Sequence, residues 1–318
     1  MNQLEVMSRI FPVLLLILFG YFLAKIKLFD QNSIASFKKL ILNICLPSLL
    51  FISFAHTTFR RQYFLIILVI FATCMLMLVI GRWVGELLGI KSPYYGLMFS
   101  GFEAGMLGYS LFSVVYGDVN TWKFAIMDLG QVVFVFFILV TQLLRLKDGL
   151  SDFQSTLKSF FKSPVILAIL SGVVISALGI TQVLENNYLT SSIFKTMSML
   201  AAITVPLISF SLGYELILSF KDLGMSLKLI LPRVTMLLIL ALIIDKFLLS
   251  DLLSLDPVFR AALFTMFILP PPFIVPLFLK ENDSYNKQFV LNTLSLHTVV
   301  SLLLFLIVIN VFLPVGIH

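Results

Sequence analysis

PVLLLILFG at Pro12–Gly20 is written again as PVILAILSG at Pro164–Gly172, an offset of 152 residues with six of nine positions identical. A second pair lies downstream. LILNICLPSLLF at Leu40–Phe51 aligns with MLAAITVPLISF at Met199–Phe210, bringing Ile44 onto Ile203, Pro47 onto Pro206 and Phe51 onto Phe210. Chance similarity between two Leu-rich helices is the competing explanation, but it does not account for the same Pro, Gly and Pro in the same order. The stretches are apolar enough to sit in a bilayer, so the duplication predicts a membrane fold made of two repeated halves.

Composition restricts the class in the same direction. Hydrophobic residues make up 60% of the chain and charged residues 12%, too few charges to cover a water-exposed surface. A span needs about 20 largely apolar residues. Ten such segments can be placed, at 8–24, 34–54, 62–83, 94–116, 123–144, 163–182, 193–215, 226–246, 260–279 and 288–313. The first is the weakest, with 15 residues between Arg9 and Lys25. It lacks a small-residue cleavage site and belongs to the repeat, so a retained helix is expected in place of a removed signal peptide. The organisation expected is a first five-helix repeat over 1–145, a cytoplasmic connection over 146–162 and a second repeat over 163–318. Cys45 and Cys74 fall inside predicted spans and suggest neither a disulfide framework nor a metal cluster.

The net charge of +6 is informative through its distribution. Fourteen Lys and Arg residues fall on the connections after segments 1, 3, 5, 7 and 9, against seven on the opposite connections. That bias places the odd-numbered connections in the cytoplasm and both termini outside the cell membrane. Five segments per half is an odd number, so the second half enters from the opposite side and the repeat is expected to be inverted. The positive charge orients the chain in its lipid bilayer and gives no support to a nucleic-acid role.

Unwound backbone at membrane depth survives only within protein or beside a water-filled cavity. Two segments look unwound, at matching places in the two halves. SGFEAGMLGYS, Ser100–Ser110, carries Gly101, Gly105 and Gly108 around Glu103. ILPPPFIVP, Ile268–Pro276, carries Pro270, Pro271 and Pro272. Each proline removes a donor and clashes with the carbonyl four residues back, so the helix is expected to end before Pro270. A new half-helix beginning near Phe273 would aim the amides of Phe273, Ile274 and Val275 into mid-membrane, with the positive end of its dipole behind them. Plain small-residue packing through the Gly101/Gly105 GxxxG pair is the alternative for the first break, and a kink without function for the second.

Ionisable groups inside spans are costly, about 2.5–3.5 kcal/mol at the centre. Glu103 could take a proton, bind a cation or accept a hydrogen bond from substrate; the alternative is a carboxylate neutralised by Arg233. Asp128, with Gln131, either faces the cavity or marks a solvated helix end. Arg233 either attracts an anion or snorkels to the cytoplasmic surface. His297 reads more readily as a hydrogen-bonded core histidine than as a ligand. Asn43, four residues before Pro47, has Ala202 as its repeat mate; it offers a one-sided polar contact or a helix-packing hydrogen bond. Ser110 completes the polar set around the first break.

These residues resemble the auxin efflux carrier family, which includes bacterial malate and malonate permeases and the PIN-type auxin exporters of plants. The similarity is carried by GYFLAKIKLFD (Gly20–Asp30), the NxxxP of Asn43–Pro47, the Gly105/Gly108 segment and VLNTLSLHTVVSLLLF (Val290–Phe305), and extends essentially end to end. It implies an all-α fold of ten helices, similar to bile-acid sodium symporters, with segments 4 and 9 broken and crossing. Segments 1, 2, 6 and 7 would form a scaffold and the others a mobile unit. The family's fourth helix often reads N-x-G-F-x-G-x-P-L; here Glu103 replaces the Asn, Met106 the Phe and Ser110 the Pro. The expected function is secondary transport of a small organic acid such as malate, malonate or an auxin-like acid, by an elevator-like movement. Proton or sodium coupling, no bound cofactor and a homodimer through the scaffold helices accompany that expectation. A membrane sensor with the same fold that transports nothing is the alternative, and an intramembrane enzyme is disfavoured by the lack of HExxH or paired carboxylates on facing helices.

Overall fold

A computed structural model of the chain describes residues 3–57, 60–148, 158, 161–215, 223–280 and 283–312. Most of the predicted connection at 146–162, and the end of the tenth predicted segment, lie outside these residues. The described residues are mostly helical, with no strand among them. In chain order the main helices are α1 (Gln3–Lys25), α2 (Asn32–Ala55), α3 (Tyr63–Leu87), α4 (Tyr95–Tyr116) and α5 (Asp118–Lys147). They are followed by α6 (Pro164–Ala177), α7 (Tyr188–Glu215), α8 (Leu223–Leu252), α9 (Pro257–Phe267) and α10 (Ser284–Val311). Seven of them, α2–α5, α7, α8 and α10, are long and apolar enough to cross a membrane; α1, α6 and α9 contribute shorter apolar stretches. Their outward faces carry large apolar side chains such as Leu18, Phe64, Leu189, Met199 and Ile307, as a lipid-facing surface requires.

Proline shapes α2 and α7 alike. Pro47 cannot donate and crowds the carbonyl of Asn43, and α2 loosens into a π turn at Ile41–Cys45 just before it. Pro206 does the same to Ala202, and α7 breaks into Tyr188–Ala202 and Thr204–Glu215. Matched prolines in the two halves thus distort matched helices. Helix starts at the connections are fixed by side-chain caps from Asp30, Asn187, Asp256 and Asp283. Bonds from Asn286 hold the Asp283 carboxyl below its ordinary range.

Packing divides the helices into two groups. Helix α1 lies along α7 and α2 lies along α6, with α2 and α7 also in contact. Helices α3, α4, α5, α8, α9 and α10 pack among themselves; α1 and α7 reach this second group through the latter part of α4, and α2 reaches it through α5. Helix α4 is the most enclosed, with 89% of its apolar window buried against 28% for α7. Whatever α4 carries at mid-length therefore faces protein, not lipid.

Candidate functional site

Both predicted breaks exist, and they touch. The first part of α4 stops at Phe99, and Ser100 turns to extended backbone. Gly101 follows with φ +67°, and a Cβ there would lie 2.9 Å from Pro272 Cγ; both the angle and the space call for glycine. The helix resumes through a π turn, Ala104–Gly108, and continues as Tyr109–Tyr116. Helix α9 stops at Phe267, and Pro270–Pro272 run on without regular structure. The two strands of irregular backbone are joined where Glu103 N donates to the Pro270 carbonyl at 2.8 Å. Phe102 and Phe267 stack beside the crossing with ring centroids 5.2 Å apart.

The predicted half-helix after the prolines does not form. Only a four-residue 3-10 turn follows, Val275–Phe278, with Pro276 inside it. Pro276 removes another donor, so the segment cannot build an α-helical turn from Phe273 onward. Nor are the amides of Phe273 and Val275 left open as expected. Phe273 N donates to Glu103 Oε2 at 2.6 Å, and Val275 N donates to the Pro272 carbonyl at 3.2 Å.

Glu103 is consequently the centre of the crossing. Its Oε1 accepts from Met106 N at 3.0 Å, capping the second part of α4, while Oε2 takes the amide of the opposite break. The side chain is buried, 8% exposed. Its predicted neutraliser is elsewhere. Among the described residues no cation lies within ion-pair distance of Glu103.

Arg233 neither snorkels nor faces an open anion site. It is fully buried, and its guanidinium donates to three carbonyls: Nε to Phe99 at 3.1 Å, Nη1 to Leu269 at 2.8 Å and Nη2 to Gly101 at 2.5 Å. These carbonyls end the first part of α4 and helix α9, where the negative ends of two helix dipoles converge. The Phe102 ring lies 5.5 Å away and covers the cation. His297 Nε2 sits 3.5 Å from Nη1, so His297 is a fully buried core neighbour of the clamp.

Asp128 and Gln131 are also buried, at 4% and 5% exposure, so the solvated-end reading of Asp128 is wrong. Tyr109 donates to Asp128 Oδ2 at 2.9 Å, and Gln131 Nε2 donates to Oδ1 at 3.0 Å. Gln131 Oε1 in turn accepts from Phe102 N at 3.1 Å. This relay fixes the unwound strand of α4 against α5. Gly108 lets Phe124 and Leu269 close in, since a Cβ would lie 2.5 Å and 2.8 Å from their side chains. Gly105 is instead half-buried beside the carboxylate, with Glu103 Oε1 3.7 Å and Leu42 Cδ2 4.0 Å from where a Cβ would be. Ile274 is half-buried on the same side of the prolines as Phe273.

Two predicted residues sit on the other group of helices or bridge to it. Ser110 Oγ lies 3.1 Å from Ser209 Oγ of α7; Ser209 spends its own proton on the Val205 carbonyl, so Ser110 is the donor between them. Asn43 is exposed on the π turn of α2, and its amide donates to its own helix, at the Lys39 carbonyl, 2.8 Å away. Among the described residues no hydrogen bond ties it to the crossing. Tyr109, Ser209 and Lys38 escape the sequence reading. Polar tips beside the first break and beside Pro206 were the available signal for the first two, and Lys38 reads there only as a topogenic charge.

The break in α4 lies inside the part of the chain that matches a known family. Residues 5–156 match the family model described as membrane transport protein. Over 217 residues the chain is also 25% identical to Uncharacterized transporter MJ1031 of Methanocaldococcus jannaschii, which covers 66% of this chain and 68% of that protein. The resemblance carried by the sequence motifs and these two matches point the same way: the chain is similar to membrane transport proteins.

Proposed function

We propose that the protein is a secondary transporter of a small organic anion, a carboxylate of the malate, malonate or auxin-like class, with its site at the crossing of α4 and α9. The carrying observation is that the crossing already receives a carboxylate. Amides from two separate segments, Met106 N and Phe273 N, converge on the carboxylate of Glu103. Backbone donors in a water-poor setting bind charge strongly because they need no reorganisation. An incoming anion would approach past Gly105, which is half-buried beside the carboxylate.

The proposed movement is alternating access. The group containing α1, α2, α6 and α7 serves as scaffold, and the group containing the crossing moves against it as an elevator. The Ser110–Ser209 contact and the packing of α4 on α1 and α7 mark the surface between them. Seven long and three shorter apolar helices are read as ten spans in two inverted halves, with both termini outside and proton or sodium coupling. A homodimer through the scaffold helices belongs to the same reading. Thermal-shift screening of the purified protein against mono- and dicarboxylates, amino acids and indole acids tests the substrate class. Stabilisation by carboxylates alone is the expected result. Stabilisation by none of them, or by neutral amines alone, would overturn the reading.

A further inference from the structure

The geometry points to Glu103 as the resident anion of the crossing, which yields its amides to a substrate carboxylate only after taking up a proton. The inference rests on the organic-anion reading and gives it a coupling mechanism. Two carboxylates cannot share the Met106 and Phe273 amides, each of which has a single proton to donate. While Glu103 is ionised and bound to both, an incoming anion meets a negative charge and no free donor there. Once protonated, the carboxyl loses its charge-assisted bonds to the amides and can turn toward half-buried Gly105, beside its Oε1. The proton arrives from water on whichever side the cavity faces, and one proton is then taken up with each anion.

The surroundings leave Glu103 to this role. Lys38 of α2 and Asp128 of α5 are the charged groups that act on it. Lys38 is paired with Glu215 of α7, and Asp128 is held by Tyr109 and Gln131. The segment after α9 offers the carboxylate its Phe273 amide and no titratable side chain. Arg233 of α8 is spent on the carbonyls of Phe99, Gly101 and Leu269. No second carboxylate or cation takes over the contact when Glu103 releases it, among the described residues.

Replacing Glu103 by alanine deletes the atoms of an acetate molecule, which makes acetate the probe. At about pH 7.5, where a simple carboxylate is ionised, acetate is expected to raise the unfolding temperature of Glu103→Ala by several degrees and to leave the wild type unmoved. Equal effects on both, or none on the variant, would overturn the assignment of a resident anion. The second measurement uses malonate binding by calorimetry at several pH values in wild type and in Glu103→Gln, which keeps the shape without the titration. Wild-type affinity should weaken about tenfold per pH unit on the alkaline side relative to the variant, since malonate's own titration is common to both. Parallel pH profiles would overturn the proton gate. If no carboxylate binds either protein at any pH while acetate still rescues Glu103→Ala, the organic-anion reading fails and the resident anion stands.

Discussion

Gly20 lies so close to the backbone of Phe210 that a Cβ on it would stand 2.2 Å from the Phe210 carbonyl oxygen. Gly172 holds the same relation to Phe51, at 2.8 Å. Gly20 and Gly172 are matched by the sequence repeat, and so are Phe51 and Phe210. Each glycine therefore presses on the phenylalanine that the sequence comparison pairs with the other glycine's contact.

A methyl group at either glycine forces two helix backbones apart. Gly20→Ala and Gly172→Ala should each destabilise the protein by about 1–3 kcal/mol, the usual range for overpacking, and the double variant by more than either. Gly224→Ala is the control, because nothing lies within 4 Å of the added Cβ and helix propensity favours the change. Thermal unfolding in detergent checks the series. Equal midpoints for Gly20→Ala and Gly224→Ala would show that the helices are not in close contact.

Orientation can be read with single cysteines. Lys91, after α3, and Asn187, before α7, are both exposed, while the native Cys45 and Cys74 are buried and contribute little background. The fourteen-to-seven distribution of loop charges places Lys91 in the cytoplasm. A membrane-impermeant thiol reagent applied to intact cells should label Asn187→Cys and spare Lys91→Cys. The opposite pattern would reverse the topology.

Arg233 should behave as a structural clamp. Replacement by Met orphans the carbonyls of Phe99, Gly101 and Leu269, and each buried carbonyl left without a donor costs about 1–3 kcal/mol. Lysine keeps the charge but lacks the planar fork that reaches several acceptors, so Arg233→Lys should also lower the unfolding temperature. If Arg233 instead served mainly to attract substrate, Arg233→Lys would unfold like the wild type and lose only affinity for carboxylates.

The apolar segments, the duplicated Pro and Gly, and both breaks could be read from the chain because each is a local property. Periodicity and length report lipid contact, and proline reports where a helix must stop. The partners were not legible for the same reason. Glu103 finds Phe273 from 170 positions away, and Arg233 finds Gly101 from 132; these distances are closed only when α9 crosses α4 and α8 packs against that crossing. The burial of Asp128 depends on α4 covering it with Tyr109, which the composition of α5 does not record. Pro276 did carry the information that no half-helix could start at Phe273, and the three prolines before it obscured that signal.

The proline run supplies the last expectation. Alanine favours a helix interior by about 3 kcal/mol per residue relative to proline, so replacing Pro270, Pro271 and Pro272 together should let α9 run on past Leu269. A continuous helix would bond the Phe273 amide to the carbonyl of Leu269, four residues earlier. That removes the donor to Glu103 Oε2 and competes with Arg233 for the same carbonyl. The Glu103 N–Pro270 bond that ties the breaks together would also be drawn away. The triple variant should therefore insert in the membrane and remain helical, yet neither bind carboxylates nor transport them. Circular dichroism establishes the fold of the variant, and uptake into proteoliposomes establishes its activity. Normal uptake by a folded triple variant would mean that the prolines only bend α9, and the site would then have to be sought away from the crossing.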